Sequence, residues 1–461
     1  MNARIEVLGA AQTVTGSRNL LCFKNKKYLV DCGLFQGPKE IRDLNWEKFA
    51  GADEIAAVVL THAHIDHCGF LPKLVREGFS GPIFCTPGTR DLAQITLRDS
   101  AHLQEELARF ANESGYSHHK PAMPLYTSKE AEAAIHMLEA VPYHHWVELD
   151  NDLSFHFLRA GHILGSAIVK MCFKDEAGGK IVTFSGDLGN GLSQVIRPPE
   201  HPVDTDVLVI ESTYGDRNHD KSDISNKVME LVQDVEKSKG VLLIPAFSVG
   251  RTQELLWIIN DLEKKKLIPS IPVFVDSPMA LDATEVYARH TEELNFSIGQ
   301  GRSESPFCTK CFLPVRDVKD SQKLCNTPGP MVVISAAGML SGGRILHHLK
   351  HRLPDSKNIL LFVGYQAEGT KGRLLQNGLR EIRIHHESIQ VRARIESSGA
   401  LSAHADSDGL VNWVAGFKKP PSLVIINHGE NEPARALKYR LQNELNIKNI
   451  LIPKRGESIR I

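Results

Sequence analysis

No stretch of the chain is apolar for anything like the ~20 residues that a membrane-spanning helix needs. The longest runs, at 55–60 and 422–426, are broken by charges or glycines, so no transmembrane helix is expected. Charge of one sign is missing as well. With 54 Lys and Arg against 55 Asp and Glu, the net charge is −1, which excludes the overall basic character that many nucleic-acid binders use for attraction. Any polyanion must be met by a local basic groove and by metal. Cysteine is sparse: eight in 461 residues, in no regular framework, fits reduced thiols better than disulfides. The opening Met-Asn-Ala-Arg-Ile-Glu lacks the basic and apolar regions of a secretory signal, and the expectation is a cytoplasmic protein. Repeats, low-complexity tracts and flexible linkers are also lacking. What the chain does have is 42% hydrophobic residues, enough over this length for a large core in two or three domains.

Short β-rich runs open the chain, at 5–8, 19–23, 28–31 and 57–60, each ending at or near Gly, Asn, Asp or Thr. Helical periodicity follows at 89–112 and 128–139, then strands at 154–158, 167–173, 180–184 and 207–210. From about residue 220 helix and strand alternate strictly: helix 224–239, strand 241–244, helix 251–264, strand 273–275, strand 331–334, a helix from 343, strand 359–363 and a helix near 373. Such alternation predicts a parallel sheet wrapped by helices. Residues 296–327 are poorly periodic and rich in Ser, Pro and Lys, and read as a long loop or embellishment.

The most specific signal is Thr61-His62-Ala63-His64-Ile65-Asp66-His67, directly after an apolar strand. His62 and His64 alternate by two, so an extended segment projects both to one side, while Asp66 and His67 follow where the chain turns toward a helix. That set can serve two adjacent metal centres. Imidazole with carboxylate suits zinc, with manganese or iron behind it. His162, between glycines in Ala160-Gly161-His162-Ile163-Leu164-Gly165, would alone be as readily a core or loop histidine. Asp187, in Phe184-Ser185-Gly186-Asp187-Leu188-Gly189, would alone be a turn former. His404 and Glu211 would be a helix-capping turn and a strand-end carboxylate.

Taken in order, these segments resemble the metallo-β-lactamase superfamily. Asp31, in Val30-Asp31-Cys32-Gly33, matches the first motif, His62 to His67 the second, His162 the third and Asp187 the fourth. Glu211-Ser212-Thr213-Tyr214-Gly215, Leu401-Ser402-Ala403-His404-Ala405-Asp406 and Ile426-Asn427-His428-Gly429-Glu430 resemble the three extra motifs of the β-CASP branch, which includes the endonuclease subunit of messenger-RNA 3′-end cleavage and its archaeal and bacterial relatives. The resemblance implies an αββα sandwich with an inserted parallel-sheet α/β domain, divided as 1–214, 215–380 (inserted) and 381–461. It implies two zinc ions, manganese being an alternative: His62, His64, His162 and Asp187 would hold one, and Asp66, His67, His428 and the bridging Asp187 the other. Asp31 would stand behind them, hydrogen-bonding a ligand histidine. It also implies RNA as substrate, since members acting on DNA tend to lack the last histidine, here His428. A KH module ahead of the first motif is not expected, and dimerisation is compatible with the family.

Phosphodiesters are anionic and resist hydroxide; two metals about 3.5–4 Å apart activate a water and neutralise the phosphate. The leaving oxygen then needs a proton. His404 is the candidate acid and Glu211 the group that orients it, so the catalytic set is His404, Glu211, Asp66 and Asp187. Single-stranded RNA would be held by glycine-containing loops at strand ends of the inserted domain. Ser248, Arg251, Ser335, Gly338, Arg344, Tyr365, Gly369, Thr370 and Arg373 are the candidates there, with Lys371, the basic residues supplying charge that the chain lacks overall. None of these loops is a nucleotide-binding fingerprint. The expected activity is therefore a ribonuclease, endonucleolytic or 5′-exonucleolytic, set against a DNA nuclease, a small-ester hydrolase or an inactive processing-complex subunit. Cys308, Cys311 and Cys325 read as loop cysteines, Cys32 and Cys68 as small apolar fillers, and the pairs His118-His119, His144-His145, His347-His348 and His385-His386 as surface or structural residues.

Overall fold

Period-two burial decides which way the strands face. In Leu153–Arg159, Leu153, Phe155 and Phe157 are buried while Ser154 and His156 between them are not, the signature of a strand with one face on a core. The structure, a computed structural model, describes residues 3–115, 121–174, 179–220, 223–296, 305–364, 366 and 369–461. These fall into two units: 1–192 with 197–218 and 404–461, and 193–196 with 219–403.

The first unit holds two seven-stranded sheets. One contains β1 (Ala3–Val7), β2 (Asn19–Phe23), β3 (Lys26–Val30), β4 (Ile55–Val59), β5 (Ile83–Cys85), β6 (Leu138–Ala140) and β22 (Glu457–Arg460), in the order β22-β1-β2-β3-β4-β5-β6. The other contains β7 (Val147–Asp150), β8 (Leu153–Arg159), β9 (Ala167–Phe173), β10 (Lys180–Phe184), β11 (Val207–Ile210), β20 (Leu423–Ile426) and β21 (Ile450–Leu451), in the order β21-β20-β11-β10-β9-β8-β7. Ile5, Tyr28 and Val59 of the first share one core with Phe155, Met171, Phe184 and Val209 of the second, so the sheets stack face to face. Helices Ser407–Ala415 and Asn431–Glu444 bury Leu410, Trp413 and Leu437 on the outer side of the second sheet against Leu208, Ile210 and Val424. Helix Pro87–Ser114 meets the first sheet at β6. The architecture is the expected αββα sandwich.

The last part of the chain completes both sheets. β20 pairs parallel with β11 and β22 antiparallel with β1, which is how a residue as distant as His428 reaches the edge where His62 lies.

The second unit is built on a six-stranded sheet of β12 (Val241–Pro245), β13 (Val273–Asp276), β14 (Phe312–Pro314), β15 (Met331–Ser335), β16 (Ile359–Phe362) and β19 (Arg394–Ser397), ordered β14-β13-β15-β12-β16-β19. Every neighbouring pair in it is parallel. A hairpin of β17 (Glu381–Ile384) and β18 (Glu387–Gln390) precedes β19. Three expectations shift. Helix 128–139 stops at His136, because Leu138–Ala140 is drawn into the sheet beside β5. Within 296–327 lie β14 and a helix, Val318–Asn326, that buries Ser321, Leu324 and Cys325; three- and nine-residue elements are too short to show a period. The second unit also runs past 380 to Ala403, because β19 pairs with β16. Among the described residues no helix is long and apolar enough to cross a membrane.

Candidate metal centre

Five strands of the two stacked sheets deliver the functional side chains from their carboxyl ends. Asp31 follows β3, His62 to His67 follow β4, Asp187 follows β10, Glu211 follows β11 and His428 follows β20; β10, β11 and β20 are consecutive parallel neighbours. His162 comes from the connection between β8 and β9. All of them, with His404, belong to the first unit.

After β4 the chain leaves the sheet, and the short helix Ile65–Cys68 sets Asp66 and His67 one behind the other. Room for this turn comes from Gly33, where a Cβ would lie 1.6 Å from the Asp66 carbonyl oxygen. Two non-glycine residues take left-handed backbone here, Asp31 at φ +62° and His428 at φ +45°, which costs roughly 1–3 kcal/mol each and is typical of sites whose geometry overrides comfort.

The ligand atoms gather in two sets. In the first, His64 Nδ1 lies 3.1 Å from His62 Nε2 and 3.1 Å from His162 Nε2, while Asp187 Oδ2 lies 3.5 Å from His62 Nε2 and 3.6 Å from His162 Nε2. In the second, His67 Nε2 is 3.1 Å from His428 Nε2, 3.8 Å from Asp66 Oδ2 and 3.3 Å from Asp187 Oδ1; His428 Nε2 is 3.4 Å from Asp66 Oδ2. Donors about 2.0–2.1 Å from a tetrahedral ion stand ~3.4 Å from one another, so the first set, and Asp66, His67 and His428 of the second, have the spacing of a coordination shell, with Asp187 Oδ1 reaching the second set at His67. Asp187 gives one oxygen to each.

The proton placement fits as well. Thr61 donates its hydroxyl to Asp31 Oδ2 at 3.0 Å and so accepts from His62 Nδ1 at 3.1 Å, which leaves the lone pair of His62 Nε2 facing the first set. His67 Nδ1 donates to Asp31 Oδ2 at 2.7 Å, turning its Nε2 to the second. Asp187 Oδ1 is buried and accepts no hydrogen bond among the described residues, an arrangement that costs a carboxylate dearly unless a cation meets it. Burial pushes His62 well below its ordinary value and His64 down to about 4, keeping both imidazoles neutral and ready to ligate. For His67 burial works the same way, but the Asp187 and Asp31 carboxylates outweigh it and hold the ring well above its ordinary value. Burial alone would raise Asp66 and Asp187; the surrounding imidazoles instead hold both below the usual carboxylate range. A site that draws positive charge this strongly suits a pair of divalent cations.

His404 stands beside the first set, its ring centroid 4.4 Å from that of His162, and is tied in by pairing with Gly189. Its Nδ1 meets Glu211 Oε1 and Oε2, each at 3.1 Å. Glu211 is itself fixed by the backbone N–H groups of Leu188 at 2.6 Å and Thr213 at 3.3 Å. Burial alone would lower His404, but the Glu211 charge and hydrogen bond raise it to about 9.

The loop residues of the second unit are placed differently from expectation. Arg251 is buried and paired with Glu254 at 2.8 Å. Arg344 donates to Asp276 at 2.8 Å and to the carbonyls of Val315 and Arg316, and Ser335 donates to the Asp276 carbonyl. These three hold the unit together, so the free positive charge expected of Arg251 and Arg344 is neutralised in place. Ser248 lies 3.3 Å from Ser277 Oγ, Gly338 rests against Phe247, Gly369 takes φ +78°, and Thr370 caps the helix Lys371–Gln376 by accepting from Arg373 N. Lys371 and Arg373 are half-buried and form no ion pair among the described residues. Tyr365 and the pair His118-His119 lie outside the described residues. His348 is fully buried, and among the described residues Cys308, Cys311 and Cys325 join no metal-ligand group. Two residues carry weight that their sequence context did not announce: Thr61, through the bonds above, and Thr213, whose hydroxyl is 3.3 Å from His428 Nδ1. Thr61 directly precedes the His62–His67 motif and Thr213 sits inside the Glu211–Gly215 motif, which is the signal that could have found them.

Comparison with known proteins covers most of the chain. Residues 19–209 match the Metallo-beta-lactamase superfamily, 252–375 the Beta-Casp domain and 388–453 the Zn-dependent metallo-hydrolase RNA specificity domain. Ribonuclease TTHA0252 of Thermus thermophilus is 37% identical over 441 residues, 94% of this chain and 95% of that protein. An RNase J-like protein of Methanocaldococcus jannaschii is 30% identical, covering 93% of each. Transcription termination factor FttA of Methanosarcina mazei is 30% identical over 96% of this chain and 70% of its own length. In fold, the chain also matches a crystal structure of a protein of unknown function from Enterococcus faecalis, with a TM-score of 0.56 at 13% identity over the whole of both chains.

Proposed function

The chain belongs to the β-CASP branch of the metallo-β-lactamase superfamily, and on that premise we propose that it is a ribonuclease hydrolysing phosphodiester bonds of single-stranded RNA in the cytoplasm with two divalent metal ions, zinc first and manganese second. The observation that carries this reading is Asp187, whose two buried oxygens each face a separate set of ligands: His62, His64 and His162 on one side, Asp66, His67 and His428 on the other. Ions held there supply an activated water and neutralise the charge of the phosphate. The protein does the rest. Asp31 fixes the tautomer of His67, which raises the basicity of its ligating nitrogen. His404 holds the proton that the leaving oxygen takes, and Glu211 keeps the ring charged and turned toward the site. Backbone contacts to RNA fall to Lys371 and Arg373 of the second unit, with Ser248, Gly338, Gly369 and Thr370 in the loops at its strand ends; the paired Arg251 and Arg344 shape those loops.

The reading is tested by incubating metal-loaded protein with RNA labelled separately at each end, beside single-stranded DNA and a small phosphodiester, with metal content measured on the same sample. The expected result is two metals per chain and cleavage of RNA. Internal fragments from both labels mean endonucleolytic cutting; early loss of the 5′ label means 5′-exonucleolytic cutting. Intact RNA beside a consumed DNA or small ester would overturn the assignment.

A further inference from the structure

Phe247 is an aromatic side chain left 46% exposed in the loop between β12 and the helix Arg251–Lys264, at the carboxyl edge of the parallel sheet, the edge where open α/β sheets bind ligands. A lone exposed apolar residue ordinarily needs no explanation. This one differs in how firmly it is mounted. Its carbonyl accepts from both the amide (3.3 Å) and the hydroxyl (2.8 Å) of Thr252, and the preceding Ala246 amide donates to the Ser335 carbonyl at 3.1 Å. The ring lies against Gly338, so closely that a Cβ there would come within 3.2 and 3.3 Å of Cδ2 and Cε2. The Gly338 carbonyl is in turn held at 3.0 Å by Nε2 of the buried Gln366. Beneath, Ser335 and Arg344 are anchored to Asp276. A rigid ring braced by a small residue and open to solvent is poorly explained as packing, since packing would have covered it, but it is what a flat aromatic ligand requires.

We propose that Phe247 is a stacking platform for an unpaired nucleobase of the RNA. The inference rests on the ribonuclease reading and deepens it: a base is available to the ring only when it is not paired within a duplex, so Phe247 contributes to preference for single strands. Stacking needs no particular base, because each has a π face, and its loss on alanine substitution corresponds to roughly five- to hundredfold in binding.

The experiment compares wild type, Phe247→Ala and Phe247→Trp on single-stranded RNA and on a series of the same RNA carrying one abasic nucleotide at successive positions, with metal content and thermal midpoint as controls for folding. The expected result is a weakened Kd and raised KM for Phe247→Ala on ordinary RNA at nearly unchanged kcat. Retention by Phe247→Trp is expected too, as is disappearance of the difference between wild type and Phe247→Ala when the abasic site falls at one position. Equal affinity of wild type and Phe247→Ala for ordinary RNA, or a loss that persists undiminished at every abasic position, would overturn the platform while leaving the ribonuclease standing. Failure of wild type itself to bind or cut RNA would remove the reading on which the platform depends.

Discussion

Asp187 and Asp276 are both carboxylates at the ends of buried strands, 2% and 1% exposed, and both have histidine neighbours, yet they do opposite things. Asp276 is surrounded by donors: Ser321 Oγ at 2.6 Å, His348 Nε2 at 2.6 Å and Arg344 at 2.8 Å. Its charge is matched within the protein. Asp187 faces His62, His162, His67 and His428 at 3.3 to 3.6 Å, and its Oδ1 accepts no hydrogen bond among the described residues. Burial, then, does not distinguish a functional carboxylate from a structural one. The difference lies in the partners. Donors in hydrogen-bonding range close the account of charge, whereas a crowd of imidazoles whose ligating nitrogens converge leaves it open for a cation.

The largest expected effect follows on the open side. Asp187→Asn removes one negative charge shared by both ligand sets, so metal content drops from two toward one or none and RNA cleavage falls roughly 10⁴-fold or more, both ions being needed for activation and charge neutralisation. Elemental analysis beside single-turnover cleavage checks this; two tightly bound metals in Asp187→Asn would erase the contrast with Asp276. Next in size is His404→Ala, which touches neither set through a ligating atom. It should keep both metals and lose about 10²- to 10⁴-fold in kcat, the usual range for a positioned acid. Because Glu211 raises His404 to about 9 against the effect of burial, the acid form exists below that pH and the rate falls as pH rises through it; nearby cations can only draw that limb lower. The limb should vanish in His404→Ala. Loss of a metal from this variant would show that His404 supports the coordination shell instead.

How much of this was readable in the residues follows from sequence distance. His62, His64, Asp66 and His67 lie within one strand end, so their spacing alone announced a metal site. Asp187 and His428 meet them through the parallel pairing of β10, β11 and β20, and His162 through the connection of the antiparallel pair β8 and β9, none of which a local pattern encodes; the motif order supplied it by resemblance. The parallel sheet of the second unit was legible from helix–strand alternation, while β14 and β19 were missed because short edge strands show no period. The basic residues were the poorest guide. An arginine engaged by a carboxylate three residues on, as Arg251 is by Glu254, or sixty-eight back, as Arg344 is by Asp276, looks in sequence like one turned to solvent.

The closed side of the comparison gives the smallest effect and the cleanest check. Asp276→Asn keeps the shape of the side chain but turns an amide N–H₂ toward groups that are themselves donors, so at least one of Ser321, His348 and Arg344 loses its acceptor in a buried place. Breaking one member of such a network costs about 3–5 kcal/mol, read as a lowered denaturation midpoint of metal-loaded protein, with two metals still bound. The pH dependence follows the same logic. Burial would raise Asp276, but hydrogen bonds from His348, Ser321 and Arg344 hold it below the usual carboxylate range. Its stabilisation is therefore fully present above the unfolded value of about 4 and is lost as pH falls through the lower folded value. The wild type should lose part of its stability along that acid limb and Asp276→Asn should not. If Asp276→Asn instead kept its stability and shed metal, the division between a closed carboxylate and an open one would be wrong at its root, because a residue whose partners are all donors would then be serving the cations.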